Sequence, residues 1–84
     1  MNEKILRALV DAGAVKHIRI IANGSLFHVE ADTPSGSVTA QTMKGTLKTW
    51  SSLDTAAKWV RSLGVGTAQV DIAKWQPSQK GFKM

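Results

Sequence analysis

An α+β domain of element order αββββαβ, with an antiparallel meander packed on two helices, is what the sequence predicts. Three observations carry it. Apolar residues recur at helical spacing near the start and again in residues 53–63. Between those stretches lie runs rich in β-branched and aromatic residues, punctuated by turn formers. The Asn23-Gly24 pair between two such runs is a strong short-range hairpin signal.

Ile5, Leu6, Leu9 and Val10 form the first helical stripe, over residues 3–12. Glu3 lies near the positive end of the helix dipole and Gly13 supplies the stop. Residues 15–22 and 25–32 read as strands. With Asn23-Gly24 as a two-residue turn, both central residues take positive φ, and the register places Ala22 opposite Ser25, Ile20 opposite Phe27 and Ile18 opposite Val29. Ile21 then faces Leu26, Arg19 faces His28 and His17 faces Glu30. One side is apolar (Ile18, Ile20, Phe27, Val29) and is expected to meet the helices, leaving His17, Arg19, His28 and Glu30 together on the other.

Thr33-Pro34-Ser35-Gly36 is a turn cluster, followed by a third strand through Val38, Ala40 and Thr42. Met43-Lys44-Gly45 suits a three-residue hairpin loop leading into a fourth strand through Leu47, Thr49 and Trp50. Ser51 and Ser52 offer helix caps. Leu53, Ala56, Ala57, Val60 and Leu63 mark the buried face of the second helix, with Asp54 and Lys58 paired on the exposed face and Gly64 ending it. Residues 68–72 form the last strand. The domain is accordingly assigned to residues 1–72, and residues 73–84 to a basic, aromatic-containing tail.

With 84 residues the chain has room for one thin-cored domain, and with no cysteine it has neither a disulfide nor a thiolate zinc site to staple it. The absence of cysteine suits a reducing compartment. Glu3 and the broken apolar run after it do not make a signal peptide, and no stretch approaches the roughly eighteen apolar residues of a membrane span, so a cytoplasmic protein with no membrane contact is expected. Of the net charge of +5, residues 72–84 hold +3 through Lys74, Lys80 and Lys83. Such an excess favours polyanionic partners and solubility alike.

Catalysis is not expected. The hairpin's polar face is predicted to be open and flat, without the buried, shifted acid or base that proton transfer needs. Turn and cap chemistry accounts for each serine, and Gly64-Val65-Gly66 precedes a strand where a dinucleotide loop precedes a helix. His17, His28 and Glu30 could in principle approach a metal, but the sequence gives them no supporting shell, and no metal or cofactor is assigned. What remains is binding. The candidate nucleic-acid-binding residues are Lys16, Arg19, His28, Lys44 and Lys48 on the sheet and loops, with Lys74, Trp75, Lys80, Phe82 and Lys83 in the tail; the cations would hold phosphates and the rings would stack on bases. The other reading of the hairpin face is a solvated surface of cross-strand pairs. Trp50 and Trp59 are expected to be structural.

The segment Leu47-Lys48-Thr49-Trp50-Ser51-Ser52-Leu53-Asp54-Thr55-Ala56-Ala57-Lys58-Trp59-Val60-Arg61-Ser62-Leu63-Gly64-Val65, with Val70-Asp71 and with Leu9-Val10-Asp11-Ala12-Gly13-Ala14, resembles the small ParC-type partition-associated proteins of bacterial plasmids, which are unrelated to the topoisomerase subunit of that name. The resemblance implies a setting, an accessory role on a plasmid or other mobile element, and no site residue. The expected function is thus non-enzymatic nucleic-acid binding. The alternative is an adaptor or homodimerising module that acts with a partition, replication or other plasmid maintenance protein, through a sheet edge or the tail.

Overall fold

The computed structural model describes residues 1–76, and the candidate residues Lys80, Phe82 and Lys83 lie outside them. The described residues form an α+β domain in which two helices pack on one face of a four-stranded mixed sheet. Its elements are α1 (Glu3–Asp11), β1 (His17–Gly24), β2 (Leu26–Thr33), β3 (Gly36–Thr39), α2 (Leu53–Ser62) and β4 (Gln69–Trp75). The strand order is β3-β2-β1-β4, with β1, β2 and β3 antiparallel and β4 parallel to β1.

Both helices begin on side-chain caps. The Asn2 carboxamide oxygen accepts from the Ile5 amide at 3.0 Å, and the Ser52 hydroxyl accepts from the Thr55 amide at 3.2 Å, each satisfying a donor that the first turn leaves without a partner. The expected Asp54–Lys58 pair forms at 3.1 Å. Leu6, Ile18, Ile20, Ala22, Phe27, Val29, Ala31, Ala40, Ala56, Val60 and Leu63 are buried. The apolar side of the hairpin is therefore the one the alternation assigned to the helices.

The hairpin register differs from the expected one. Gly24 and Ser25 make the turn, and Asn23 remains in the ladder opposite Leu26. Gly24 has φ of 68°, while no non-glycine residue among those described has a positive φ. Glycine at the first central position satisfies the turn alone, as in a type II′ hairpin, so Asn23 is spared the left-handed conformation. The pairs become Ile20 with Val29, Ile18 with Ala31, Ile21 with His28 and Arg19 with Glu30. Each strand has moved by one residue in the pairing, so the sum of paired numbers changes by two and the faces are preserved.

The expected fourth strand is reduced to two isolated bridges, Gln41 with Leu47 and Phe27 with Trp50. The cause lies on the outer edge of β2. There β3 pairs with residues 30–33, the Ala40 amide donates to the Val29 carbonyl at 2.9 Å, and Trp50 returns to exchange both backbone bonds with Phe27 at 2.8 and 2.9 Å. Residues 41–49 leave that edge and come back to it, and so do not run beside β3 as another strand. The expected last strand is longer than residues 68–72 and continues through Trp75, which brings Ala73, Lys74 and Trp75 into the sheet.

Candidate interaction surface

The sheet face turned away from the helices gathers His17 and Arg19 from β1, His28, Glu30 and Asp32 from β2, Ser37 from β3, and Asp71 and Lys74 from β4. The corrected register decides what Arg19 does there. Its Nη2 lies 2.8 Å from Asp32 Oδ1, 3.3 Å from Glu30 Oε1 and 3.2 Å from Ser37 Oγ. The Ser37 hydroxyl donates to Asp32 at 2.8 Å and, with the Arg19 charge, holds the Asp32 carboxyl below the usual carboxylate range. Arg19 Nε is buried without a hydrogen-bond partner, and the guanidinium meets Asp32, Glu30 and Ser37 through Nη2. His28 Nε2 stands 3.4 Å from Glu30 Oε2, and His17 Nδ1 stands 3.9 Å from Asp32 Oδ2. The two histidines thus address different carboxylates, and the described residues contain no cluster of three potential metal ligands.

The remaining candidate cations are dispersed. Lys16 is exposed just before β1, beside a cleft lined by Val10, Val65 and Gln69. Lys44 is exposed in the loop closed by Thr42 and Thr46. Lys48 Nζ sits 5.4 Å from the Trp50 ring centroid and 5.9 Å from that of Trp59. Those two rings pack at 5.0 Å, and the Trp59 indole donates to Glu3 at 3.2 Å. Lys48 therefore rests on an aromatic pair that joins α1, α2 and the 41–50 excursion. Lys58 and Arg61 are exposed on α2, on the helix side of the sheet. The structure brings Arg19, His28 and Lys74 to one face, but Glu30, Asp32 and Asp71 share it.

Lys74 and Trp75 separate. Lys74 faces the open side in a shallow hollow with His28, Glu30 and Asp71, whereas the Trp75 ring crosses to the helix side and meets Phe27 at 6.0 Å and 52°. There it closes one end of an apolar groove. Leu53 of α2 is common to two hollows of about 270 and 310 Å³, one shared with Ile20, Val60 and Val70, the other with Phe27 and Trp75. Because α2 is laid over β1 and β2, the helix side of β4 is left bare: Val70, Ile72 and Trp75 remain 45%, 51% and 40% exposed. Sequence reasoning assigned Leu53 and Ala57 to a buried helix face and did not single out Val70 or Ile72. The available signal was an apolar face on α2 broader than β1 and β2 alone could cover.

Comparison of the chain with protein-family models, with curated proteins and with solved structures finds no match. No helix among the described residues is long and apolar enough to cross a membrane.

Proposed function

We propose that this chain is a non-enzymatic association module that receives a polypeptide strand along β4. The observation that carries this reading is the flank itself. β4 is the sheet's last strand, exposed at every position, with Val70 and Trp75 lining the hollows beside Leu53 and Ile72 exposed between them. A strand edge offers unpaired backbone donors and acceptors, and neighbouring apolar side chains give an added strand something to cover. The open face suits phosphates less well, because Arg19 already serves Glu30 and Asp32 and three carboxylates share that surface. The resemblance to ParC-type proteins supplies the proposed setting, an accessory protein of a plasmid or similar element in bacterial cytoplasm.

The test is photo-crosslinking in bacterial cells, with a photoreactive residue placed at Ile72 or, as the comparison, at His17 on the open face. Protein adducts that survive nuclease treatment are expected from position 72 and not from position 17. Adducts carrying nucleic acid, or equal protein yields from the two positions, would overturn the reading and favour the phosphate-binding alternative.

A further inference from the structure

We infer that the strand received along β4 is β4 of a second copy of this chain, joined antiparallel about a two-fold axis that passes between Ile72 and Ala73. The inference rests on the reading of β4 as the association surface and adds the identity of the occupant. Its basis is an irregularity in the β1–β4 pairing. Val70 lies beside Ile20 and Asp71 beside Ile21, but Lys74 lies beside Asn23 and Trp75 beside Gly24, so β4 spends one residue more than β1 over the same span. This is a β-bulge, and it changes which residues share a face.

In a regular strand Asp71 and Lys74, three apart, would point to opposite faces. Here both line the open-side hollow with His28 and Glu30. Val70 and Trp75, five apart, would likewise be separated, yet Val70 lines the helix-side groove with Ile20 and Leu53 while Trp75 meets Phe27 on that same side. Outward from the bulge, each half of the strand therefore carries a charged residue facing the open side and an apolar one facing the helices. The charges are opposite.

A two-fold axis perpendicular to the sheet keeps each face on its own side and reverses the strand, as antiparallel pairing requires. Centred between Ile72 and Ala73, it sets Asp71 opposite Lys74 of the second copy and Lys74 opposite its Asp71, with both pairs on the open face. On the helix side Val70 meets Trp75 of the second copy, twice over, and the axis passes through the bulge at Ile72 and Ala73. Directly opposed ion pairs and aromatic–β-branched pairs are the contacts that favour one register over another. Moving the axis onto Ile72 would set Val70 against a lysine, and moving it onto Ala73 would set Asp71 against a tryptophan. Among these neighbouring registers only the one between the two residues matches both charge and polarity. Among the described residues neither Asp71 nor Lys74 has an ion-pair partner within its own chain. Asp71 Oδ1 accepts from the Ala73 amide at 3.0 Å, which leaves its other oxygen for the second copy.

Sedimentation equilibrium of the purified full chain over a wide range of dilution tests the inference. The wild type is expected to dimerise, with an affinity that falls as salt is added. Lys74→Asp leaves the Asp71–Ala73 bond in place but sets two acids against each other at both ends, and should weaken the dimer about tenfold or more. Asp71→Lys should do the same with bases. Equimolar mixing of the two variants should restore a dimer, as should Asp71→Lys and Lys74→Asp combined in one chain, because each arrangement rebuilds both opposite-charge pairs. A wild type that stays monomeric throughout, variants that dimerise as tightly as the wild type, or folded swapped chains that fail to recover would each overturn the inference. A monomer that still crosslinks from position 72 to a different protein would remove the second copy as occupant and leave the association reading standing. Absence of any protein adduct at that position would remove the association reading itself.

Discussion

Replacing Leu6 by alanine tests how α1 is held. Leu6 is the one residue of α1 that is fully buried, at 0% exposure, whereas its neighbour Ile5 is 48% exposed. Truncating a buried leucine removes its transfer free energy and leaves a cavity that the surroundings only partly fill, a loss of about 3 kcal/mol. A domain of this length holds roughly 4–12 kcal/mol in total. The variant should therefore lose a quarter or more of its stability, and its melting midpoint should fall by roughly 12–24 °C. Ile5→Ala is the internal control, since both changes place alanine, a good helix former, on the same turn. Half the isoleucine is already in water, and the gain in helix propensity offsets part of the loss, so the cost should stay under about 1 kcal/mol. Urea unfolding followed by tryptophan fluorescence, with thermal melts by circular dichroism, measures both. Equal losses for the two variants, or a Leu6→Ala loss under about 1 kcal/mol, would refute the assignment of α1 docking to Leu6.

Two further outcomes follow from particular geometries. Gly24→Ala should cost about 1–2 kcal/mol in urea unfolding, because alanine resists positive φ, while Asn23→Ala should stay within about 0.5 kcal/mol. Similar costs at both positions would return the turn to Asn23-Gly24. Acid titration of stability reports on Glu3, whose carboxyl is held below the usual range first by its hydrogen bond from Arg7 and then by that from the Trp59 indole. A depressed carboxyl stabilises the fold fully above its unfolded pKa and loses that contribution as pH falls through the folded value. The stability difference between wild type and Glu3→Gln, present at neutrality, should close as the solution is acidified through the carboxylate range; a difference that ignores pH would show that ionisation of Glu3 does not contribute.

The faces of the hairpin were legible in the sequence because polarity alternates with period two, and Ile18, Ile20, Phe27 and Val29 are all buried as that alternation requires. The register was not legible. It depends on whether one or both turn residues adopt positive φ, and a dipeptide that favours one turn does not exclude the neighbouring one. Arg19 consequently meets Glu30 and Asp32, where the sequence suggested His28. Leu47, Thr49 and Trp50 read as a strand following the Met43-Lys44-Gly45 turn, yet the available edge of β2 accepts only Trp50. Lys48 shows the same limit, since nothing local to it specifies the two rings it lies over. Val70 and Ile72 read correctly as strand residues. Their exposure follows from where α2 settles, which is a property of packing across the whole domain.

The extra residue in β4 sets where the centre of the strand's likeness to its own reverse lies. Losing Ala73 alone would leave the charge of the chain unchanged and its apolar content almost unchanged. The strand would then run in step with β1, with Lys74 two residues from Asp71 and still on the open face and Trp75 still on the helix side. Loss of that codon would thus keep the strand's likeness to its own reverse and move its centre from between Ile72 and Ala73 onto Ile72. The extra residue therefore bends and twists the edge without changing which side chains either face presents.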